Sequence, residues 1–529
     1  MNKLIRMKKN KIFAVLISLI VALGGFLLGF DSAVISGATP FYKIAFQLTS
    51  GTYLIGLSVS AIILGAIAGN SVAGPLADRF GRKIILSITA VLFAFCALGC
   101  ATAHNITFFI IARIIGGMGV GMAILVAPMY IAEIAPKNLR GLLVTFNQLN
   151  IVLGISIAYF SNYFILKNVT TPDMNWRWML GVGSIPAALY FLLLFIVPSS
   201  PRWLISKGRD EEGKKVLKKV NGEDQVESIY NEIKASISKK DRKEKTAWKE
   251  VFSKKMKIVL IIGFGMAFFQ QITGINAIFY YAPLIFEMTG GGKDAAFVEA
   301  IIIGLTNVVM TIVSMALIDR LGRRPLLIIG AIGITLSLSV AGMAFKNATY
   351  RLKVENIGKI EKAVSENEKF KNQAPIIASA LSQMVNKEYR SETSFFKEVK
   401  ERIGADNYNN FKELILKNSI TINSILVLIG LMCYVASFAI SLGPVMWALL
   451  SEIFPNKLRG IAISIVGLWN SVVSFSVATI FPAELEHLGS GMTYFIYAFF
   501  GFVTLLFVLK YVPETKGKSL EELESMLVK

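Results

Sequence analysis

The sequence has 529 residues, of which 54% are hydrophobic and 17% are charged, and its formal net charge is +20. So apolar a composition excludes an ordinary soluble protein of this length and indicates a membrane protein. The charge alone would also suit a nucleic-acid-binding protein. However, the basic residues are not interleaved with aromatic ones, so we expect no nucleic-acid partner.

Apolar runs of about 20 residues recur along the chain, and each is long enough to cross a bilayer. The backbone in lipid must satisfy its own hydrogen bonds, so helices are expected rather than open sheets. Twelve spans are predicted, at about 12–36, 53–74, 84–103, 107–132, 141–166, 178–197, 257–288, 297–318, 325–345, 420–450, 460–484 and 492–512.

The basic residues between the spans are distributed unevenly. Most lie in the N-terminal segment and in alternate connections, whereas the short connections on the other side hold only Lys43, Lys167, Arg177 and Lys293. The positive-inside rule therefore places both termini in the cytoplasm. The sequence predicts a multi-pass membrane protein in direct contact with lipid.

Two sequence motifs occur twice. Asp-Arg-x-Gly-Arg-basic begins at Asp78 and again at Asp319, each time between two spans. A Glu-Ile-x-Pro segment that leads to Arg-Gly begins at Glu133 and again at Glu452. The repeats predict two pseudo-symmetric bundles of six helices, an all-α architecture that membrane transporters commonly use.

The repeats also predict the domain boundaries. Residues 1–200 form the first bundle, 201–257 a cytoplasmic linker, and 258–529 the second bundle. The second half is longer than the first between its two motifs, and the additional residues lie at about 346–418. This charged segment falls between spans nine and ten, on the extracytoplasmic side.

The linker and the insertion each allow two interpretations. In the linker, Arg209 to Val220 and Val226 to Ile237 read as amphipathic helices, although a solvated spacer is the alternative. In the insertion, Ala374–Tyr389 and Phe395–Phe411 have helical spacing, which favours a small helical subdomain over a disordered excursion.

Cysteine and histidine indicate no metal site and no cofactor. Cys96, Cys100 and Cys433 all lie in predicted spans, so we expect free, buried thiols. His104 and His487 are isolated in the sequence. No pairing of a nucleophile with a base is evident either, so the sequence does not predict an enzyme.

In its motifs the chain resembles the sugar porters of the major facilitator superfamily, and it looks most like the bacterial xylose–proton symporter type of monosaccharide transporter. The resemblance covers nearly everything outside 346–418. It rests on many motifs in the family's order: Gly29-Phe-Asp31, both Asp-Arg-x-Gly-Arg segments, Arg113-Ile-Ile-Gly-Gly117, both Glu-to-Arg-Gly segments, Pro198-Ser-Ser-Pro-Arg202, Gln270-Gln271-Ile-Thr-Gly274-Ile-Asn276, Gly443-Pro444-Val-Met-Trp447 and Pro513-Glu-Thr-Lys-Gly517.

Asp31 and Arg113 stand inside predicted spans one and four. Ionisable residues there cost a few kcal/mol and are functional by default. An acid and a base in separate spans can neutralise each other, and protonation of Asp31 would dissolve the pair and free the spans to move. A static salt bridge is the alternative. The resemblance favours proton coupling, because proton-linked members carry Asp at this position.

The amide and aromatic side chains in the spans suit a monosaccharide. Amides donate to and accept from hydroxyls, and aromatic rings stack on the C–H face of a sugar. A single amide in a span is often only a contact between helices. The resemblance implies these substrate-binding residues: Gln148, Gln270, Gln271, Asn276, Tyr280, Asn307, Trp447 and Trp469, with Asn470 as a neighbour.

Two spans carry helix breakers beside these residues. Gln270 and Asn276 are roughly 240° apart on a straight helix, so they face one ligand only if the helix breaks between them. Thr273-Gly274 is the predicted break. Gly443 and Pro444 give span ten the same capacity.

The repeated charged motifs predict ion-pair networks at the cytoplasmic helix ends, which would hold the outward-open state and break on inward opening. The alternative is simple topology-setting charge. The residues assigned to gating are Asp78, Arg82, Glu133, Arg140, Asp319, Arg323, Glu452 and Arg459, together with Gly443 and Pro444.

The chain departs from the family pattern at two positions. Leu468 replaces a polar residue of the xylose symporter, which leaves the choice among monosaccharides open. Ser199 replaces an acidic residue, whereas Glu514 is kept in the matching motif, so the first-half latch is expected to be looser.

We expect alternating-access import of a pentose or hexose with a proton by a monomer, and the resemblance implies that the membrane is a bacterial inner membrane. A passive uniporter is the first alternative, and Asp31 argues against it. A sugar sensor lacks support because only a short tail follows Pro513, and a drug exporter would lack the Gln-Gln…Asn set.

Overall fold

The protein is described by a computed structural model that covers residues 2–48, 52–136, 140–240, 250–366, 370–385, 387–455, 458–518 and 520–527. Twelve of its helical segments are long and apolar enough to cross a membrane, as predicted. These spans form the two six-helix bundles of the major facilitator fold.

The first half contains spans one to six. Span six is built from two consecutive helices, α6 and α7. The bounds are α1 Asn2–Ala45, α2 Thr52–Phe80, α3 Arg82–Ala101, α4 Ile106–Ile134, α5 Arg140–Asn168, α6 Pro172–Gly181 and α7 Ser184–Leu194.

The linker contains three helices: α8 Pro201–Ser206, α9 Asp210–Asn221 and α10 Val226–Lys240. Their apolar sides pack together through Ile205, Leu217, Val226 and Tyr230. The linker is therefore a folded helical element over these residues, and the spacer interpretation does not apply to them. Residues 241–249 lie outside the described part of the chain.

The second half contains spans seven to twelve, and spans seven and ten each consist of two helices. The bounds are α11 Lys257–Ile272 and α12 Ile275–Glu287 for span seven, α13 Gly292–Leu321, α14 Arg323–Lys346, then α19 Ser424–Ile440 and α20 Leu442–Ile453 for span ten, α21 Arg459–Leu488 and α22 Ser490–Tyr511. A short helix, α23 Leu520–Leu527, follows.

The packing of the two halves is pseudo-symmetric. Span two packs along span four, and its counterpart, span eight, packs along span ten. Between the halves, span one meets span seven, span two meets span eleven, and span five meets span eight. Exchanging the halves maps these three interfaces onto one another, as the sequence repeats require.

The segment between spans nine and ten is folded. It contains β1 Thr349–Arg351, α15 Val354–Ser365, α16 Ala374–Ser382, β2 Glu388–Tyr389, α17 Glu392–Ile403, α18 Ala405–Lys417 and β3 Ile420–Thr421. Helical structure was predicted at 374–389, which contains α16, and at 395–411, which the structure divides into α17 and α18; α15 was not predicted. The antiparallel sheet, in the order β2-β1-β3, was not predicted either, because strands of two or three residues are too short to show an alternating pattern.

One expectation about the thiols is wrong. Cys96 and Cys100 are buried, but Cys433 is exposed on the outside of the bundle. Apolar surroundings in a membrane protein include lipid, so an apolar sequence context does not distinguish a buried thiol from a lipid-facing one.

The repeated glycine of the Asp-Arg-x-Gly-Arg motif has a structural role. Gly81 and Gly322 have φ values of 93° and 96°, which a residue with a Cβ rarely adopts. The chain reverses here between adjacent spans. At Gly322 the Glu514 carboxylate accepts the backbone N–H groups of Arg323 and Arg324, each at 3.1 Å, and so caps span nine.

Glu514 also accepts the backbone N–H groups of Thr515 and Lys516. Burial alone would raise the pKa of Glu514, but the four backbone donors outweigh it and lower the pKa below its usual value. A lowered carboxyl pKa means that the folded protein favours the ionised form. This stabilisation is therefore complete above the ordinary carboxyl pKa and is lost as the pH falls below it.

We expect Glu514→Gln to lower the thermal unfolding midpoint of the purified protein by a few degrees at neutral pH, because the amide offers one acceptor oxygen instead of two. The difference from the unsubstituted protein should shrink as the pH falls through about 4.5. Glu524→Gln, at an exposed position, is the matched control. A pH-independent difference would contradict the role assigned to the charge.

Candidate functional site

A cavity of about 250 Å³ lies between the two halves. Spans one, two, four and five line it from one side, and spans seven, eight, ten and eleven from the other. Most of the predicted substrate-binding residues line it, namely Gln148, Gln270, Gln271, Asn276, Tyr280, Asn307 and Trp447.

The break in span seven brings its polar residues together. Helix α11 ends at Ile272 and α12 begins at Ile275, with Gly274 at φ 90° between them. Asn276 then donates to Gln271 Oε1 at 2.8 Å, which is the close approach that a straight helix would not allow. The broken helix was predicted from the angular spacing of these residues.

Span eleven completes an amide network with span seven. Asn470 Nδ2 donates to Gln270 Oε1 at 2.9 Å, and Gln271 Nε2 donates to Asn470 Oδ1 at 3.1 Å. Asn276 Nδ2 also donates to Ser474 Oγ at 2.7 Å. These contacts fix the orientation of each amide, so the network presents an ordered set of donors and acceptors to the cavity.

Four polar lining residues were missed in the sequence. Ser474 lies four residues after Asn470, and Thr311 lies four residues after Asn307, so each shares a helix face with a predicted residue. This spacing could have identified both. The other two directly follow named residues in the chain: Ser32 follows Asp31 and Ser471 follows Asn470.

Trp469 does not line the cavity in the structure. Its ring instead packs against Phe264, with the ring centroids 6.3 Å apart, and the side chain is 37% exposed. Trp469 and Asn470 are adjacent on one helix, so their side chains diverge by about 100°. Because the Asn470 side chain points into the cavity, the Trp469 side chain points away from it.

Span ten also breaks, one turn before Pro444, which has no N–H to bond the carbonyl of Ile440 four residues earlier. Helix α19 ends at Ile440 and α20 begins at Leu442, with Ser441 between them at φ −127° and ψ −98°. Pro444 has no N–H to offer, so it lies in the first turn of α20, where none is needed. Gly443 and Pro444 both line the cavity, and Gln270 Nε2 donates to Leu442 O at 2.9 Å.

Asp31 and Arg113 meet beside the cavity. The Asp31 Oδ2 to Arg113 Nη2 distance is 3.3 Å, and the arginine side chain is fully buried. Arg113 Nη2 also donates to Val59 O at 3.2 Å, and the Cys96 thiol is 3.9 Å from Asp31 Oδ1. Spans one, two, three and four thus converge on one ion pair.

The ion pair is linked to the cavity across the boundary between the halves. Tyr280 of span seven and Ser32 of span one both line the cavity, and these two spans pack against each other. Ser32 is adjacent to Asp31 in the chain. A ligand in the cavity would therefore lie beside the residue that follows the ion-paired position in span one.

The repeated charged motifs form matching ion pairs within each half. Arg82 contacts Asp78 at 3.0 Å and Glu133 at 2.9 Å. Arg323 contacts Asp319 at 3.1 Å and Glu452 at 2.8 Å. Each of these ion pairs joins residues of the same half. The sequence predicted only that the ion pairs lie between helix ends.

Glu133 and Arg459 make further contacts with nearby partners. Glu133 accepts a hydrogen bond from Ser200, which adjoins the substituted position Ser199. Arg459 Nε donates to Phe454 O at 3.3 Å. The side chain of Arg140 lies outside the described part of the structure.

The halves also touch near the end of the bundle that carries the insertion, hereafter the insertion end. Ser60 Oγ and Thr479 Oγ1 are 2.7 Å apart, and Tyr159 donates to Phe279 O at 2.7 Å. Lys167 pairs with Asp294 at 3.0 Å. These contacts hold the halves together at this end.

Comparison with known proteins identifies the family. The model of the family described as "Sugar (and other) transporter" matches residues 17–363 and 411–527. The chain belongs to this family. The match is interrupted at 364–410, which lie within the insertion.

Two characterised relatives are similar along nearly their whole length. The arabinose-proton symporter of Bacillus subtilis is 33% identical, with 98% of this chain and 96% of that protein covered. The D-xylose-proton symporter of Escherichia coli is 34% identical, with the same coverage. A solved structure of the xylose transporter from E. coli in its inward-open conformation superposes with a TM-score of 0.73 at 32% identity, covering 97% of this chain and 100% of that one.

The contact at the insertion end depends on Gly56. A Cβ at this position would lie 2.0 Å from Thr479 O, so closure between spans two and eleven requires glycine. Gly56→Val should therefore keep this end open and reduce sugar uptake into proteoliposomes at least about tenfold, because a closed state is lost. Binding of the sugar at equilibrium should persist.

Gly74→Val is the control on the same helix, because a Cβ there would meet only the Leu125 side chain at 3.9 Å. This variant should transport normally. Uptake by Gly56→Val at the unsubstituted rate would refute the closing role of the contact.

Proposed function

We propose that the protein imports a monosaccharide, a pentose or a hexose, together with a proton by alternating access. The observation that carries the proposal is the buried Asp31–Arg113 pair beside the amide-lined cavity, which Ser32, the residue next to Asp31, helps to line. The membership in the sugar transporter family and the proton-coupled relatives support it.

The proposed sugar site uses two kinds of contact. Gln148, Gln270, Gln271, Asn276 and Asn307 offer donors and acceptors to ring hydroxyls. Trp447 supplies the aromatic surface for the C–H face of the ring. Exposed polar atoms in an unoccupied cavity interact with water, and a hydroxylated ligand replaces those interactions one for one.

Asp31 is the proposed proton carrier. Ionised, it neutralises Arg113, and the pair holds spans one and four together. When Asp31 takes up a proton, the carboxyl becomes neutral and its attraction to Arg113 falls, so the two spans can separate. Release of the proton on the other side of the membrane restores the pair.

The charge that enters with the proton supplies the driving force. A membrane potential of 100 mV is worth about 2.3 kcal/mol per elementary charge. At about 1.4 kcal/mol per factor of ten, this supports a sugar gradient of roughly 50-fold before any pH difference is added. A passive uniporter would give no gradient, and it has no use for an acid next to Arg113.

The sidedness and the gates belong to the same proposal. The excess of Lys and Arg in alternate connections favours cytoplasmic termini, which puts the insertion end outside the cell. The Arg82 and Arg323 pairs then lie at the cytoplasmic end and serve as latches within each half. A monomer contains the complete cavity, so no partner subunit is required in a bilayer of lipid.

The test is uptake of a panel of labelled pentoses and hexoses into proteoliposomes, with and without an imposed pH gradient. At least one sugar should accumulate above its external concentration only when the gradient is present. Transport of a sugar without any associated proton movement would favour the passive uniporter instead. If none of the sugars is transported, the proposal is refuted.

Asn276→Ala separates binding from coupling. The substitution removes the bonds to Gln271 and Ser474 and one partner of the sugar. We expect the KM for the sugar to rise about tenfold, whereas the steady-state accumulation ratio at saturating sugar stays unchanged, because Asp31 is intact. Asn347→Ala, at an exposed position, is the matched control, and an unchanged KM in Asn276→Ala would exclude this residue from the site.

A further inference from the structure

The connection between spans seven and eight contains three consecutive glycines, Gly290 to Gly292, and Gly292 is the first residue of α13; these three residues are called the glycine loop. Gly290 and Gly292 have φ values of 85° and 81°. A run of glycine has many accessible backbone conformations, so such a loop does not fix the start of the next helix by itself. Its position in the folded protein must depend on what packs against it.

The residues that follow the loop contact the other half. Asp294 pairs with Lys167 of span five at 3.0 Å. The Lys293 ammonium lies over the Phe41 ring of span one, 4.5 Å from its centroid. The Lys167 and Asp294 side chains are 47% and 66% exposed, so this pair is weak unless its two sides are held in place.

The insertion packs directly on the glycine loop. The Lys417 Nζ atom lies 2.9 Å from the point where a Cβ on Gly292 would be. The Ile420 Cγ2 atom lies 2.8 Å from the corresponding point on Gly290. The absence of side chains on the loop allows this approach, and the end of α18 with β3 covers the loop.

The insertion is joined to the second half by its strands and by span twelve, and it also borders span one of the first half around a second cavity. Its strands β1 and β3 continue from spans nine and ten and pair with each other at Tyr350 and Ile420. Its Glu392 carboxylate accepts hydrogen bonds from the backbone N–H of Ser490 at 3.3 Å and from the Ser490 hydroxyl at 3.1 Å. Glu392 thereby caps span twelve.

We propose that the insertion is a brace for the gate at its own end of the protein. It holds the glycine loop so that Lys293 and Asp294 meet Phe41 and Lys167 when the halves are closed there. On opening, the contacts to the first half break, and the contacts between the insertion and the loop remain. This role rests on the alternating access of the proposed function.

The test measures the distance between the halves in the full chain in liposomes. Spin labels are attached at Thr170→Cys and His487→Cys, in a Cys433→Ser background that removes the exposed native thiol. Pulsed electron paramagnetic resonance then measures the distance between the labels and so reports opening at the insertion end. The variant Lys417→Ala/Ile420→Ala removes the brace contacts. We expect the fraction of molecules that are open at the insertion end to rise about fivefold, which is the size of effect expected when one stabilising side-chain contact is lost.

Asp294→Ala removes the contact that the brace is meant to position. It should raise the open fraction by a similar factor, and adding Lys417→Ala/Ile420→Ala to it should change the fraction less than about twofold. Lys417→Ala alone, at an exposed position, gives the same comparison if the double variant does not fold. Lys359→Ala, on the surface of α15, is the matched control and should have no effect.

An unchanged distance distribution in the brace variants would overturn the inference, and so would effects of the brace and of Asp294 that simply add. Sugar and proton uptake are measured on the same samples. If the unsubstituted protein shows no proton-coupled uptake, the proposed function is refuted, whatever the distance measurements show. The two proposals can therefore fail separately.

Discussion

A fully buried arginine inside a transmembrane bundle must be neutralised, and in this protein Asp31 does so from a neighbouring helix. The pair gathers spans one, two and four, because Arg113 also reaches the backbone of Val59. Burial of an uncompensated charge at this depth would cost more free energy than a few contacts between helices contribute. The arrangement of the first half therefore depends on the charge state of a single carboxyl, which makes that carboxyl suited to control movement.

The second half contributes the cavity wall that senses a ligand. The break at Gly274 turns Asn276 back towards Gln271, and Asn470 and Ser474 of span eleven complete the network. Tyr280, on the same short helix as Asn276, lines the cavity together with Ser32 of span one. A change in the amide network can thus reach the residue next to Asp31 through one rigid helix turn, without a long chain of side chains.

The sequence was sufficient to predict the twelve spans, the duplication and most of the polar residues that line the cavity, because long apolar runs and paired motifs are local signals. The broken span seven followed from the angular spacing of Gln270 and Asn276 once both were assigned to one ligand. The break at Ser441 lies one turn before Pro444, which was assigned this capacity because it has no N–H to bond a carbonyl four residues earlier. Trp469 was assigned to the site because the resemblance names its position, and the rotation of span eleven decided against it. The short strands of the insertion depend on pairing between distant residues, which no local pattern reveals.

The most direct test of the central claim is a comparison of Asp31→Asn with the unsubstituted protein in proteoliposomes. Asparagine keeps the size and polarity of the side chain but cannot carry the charge or exchange a proton. We predict that the variant loses uphill accumulation of the sugar under an imposed proton gradient and retains exchange of labelled for unlabelled sugar at equal concentrations. Undiminished uphill accumulation by Asp31→Asn would contradict the coupling role of the Asp31–Arg113 pair.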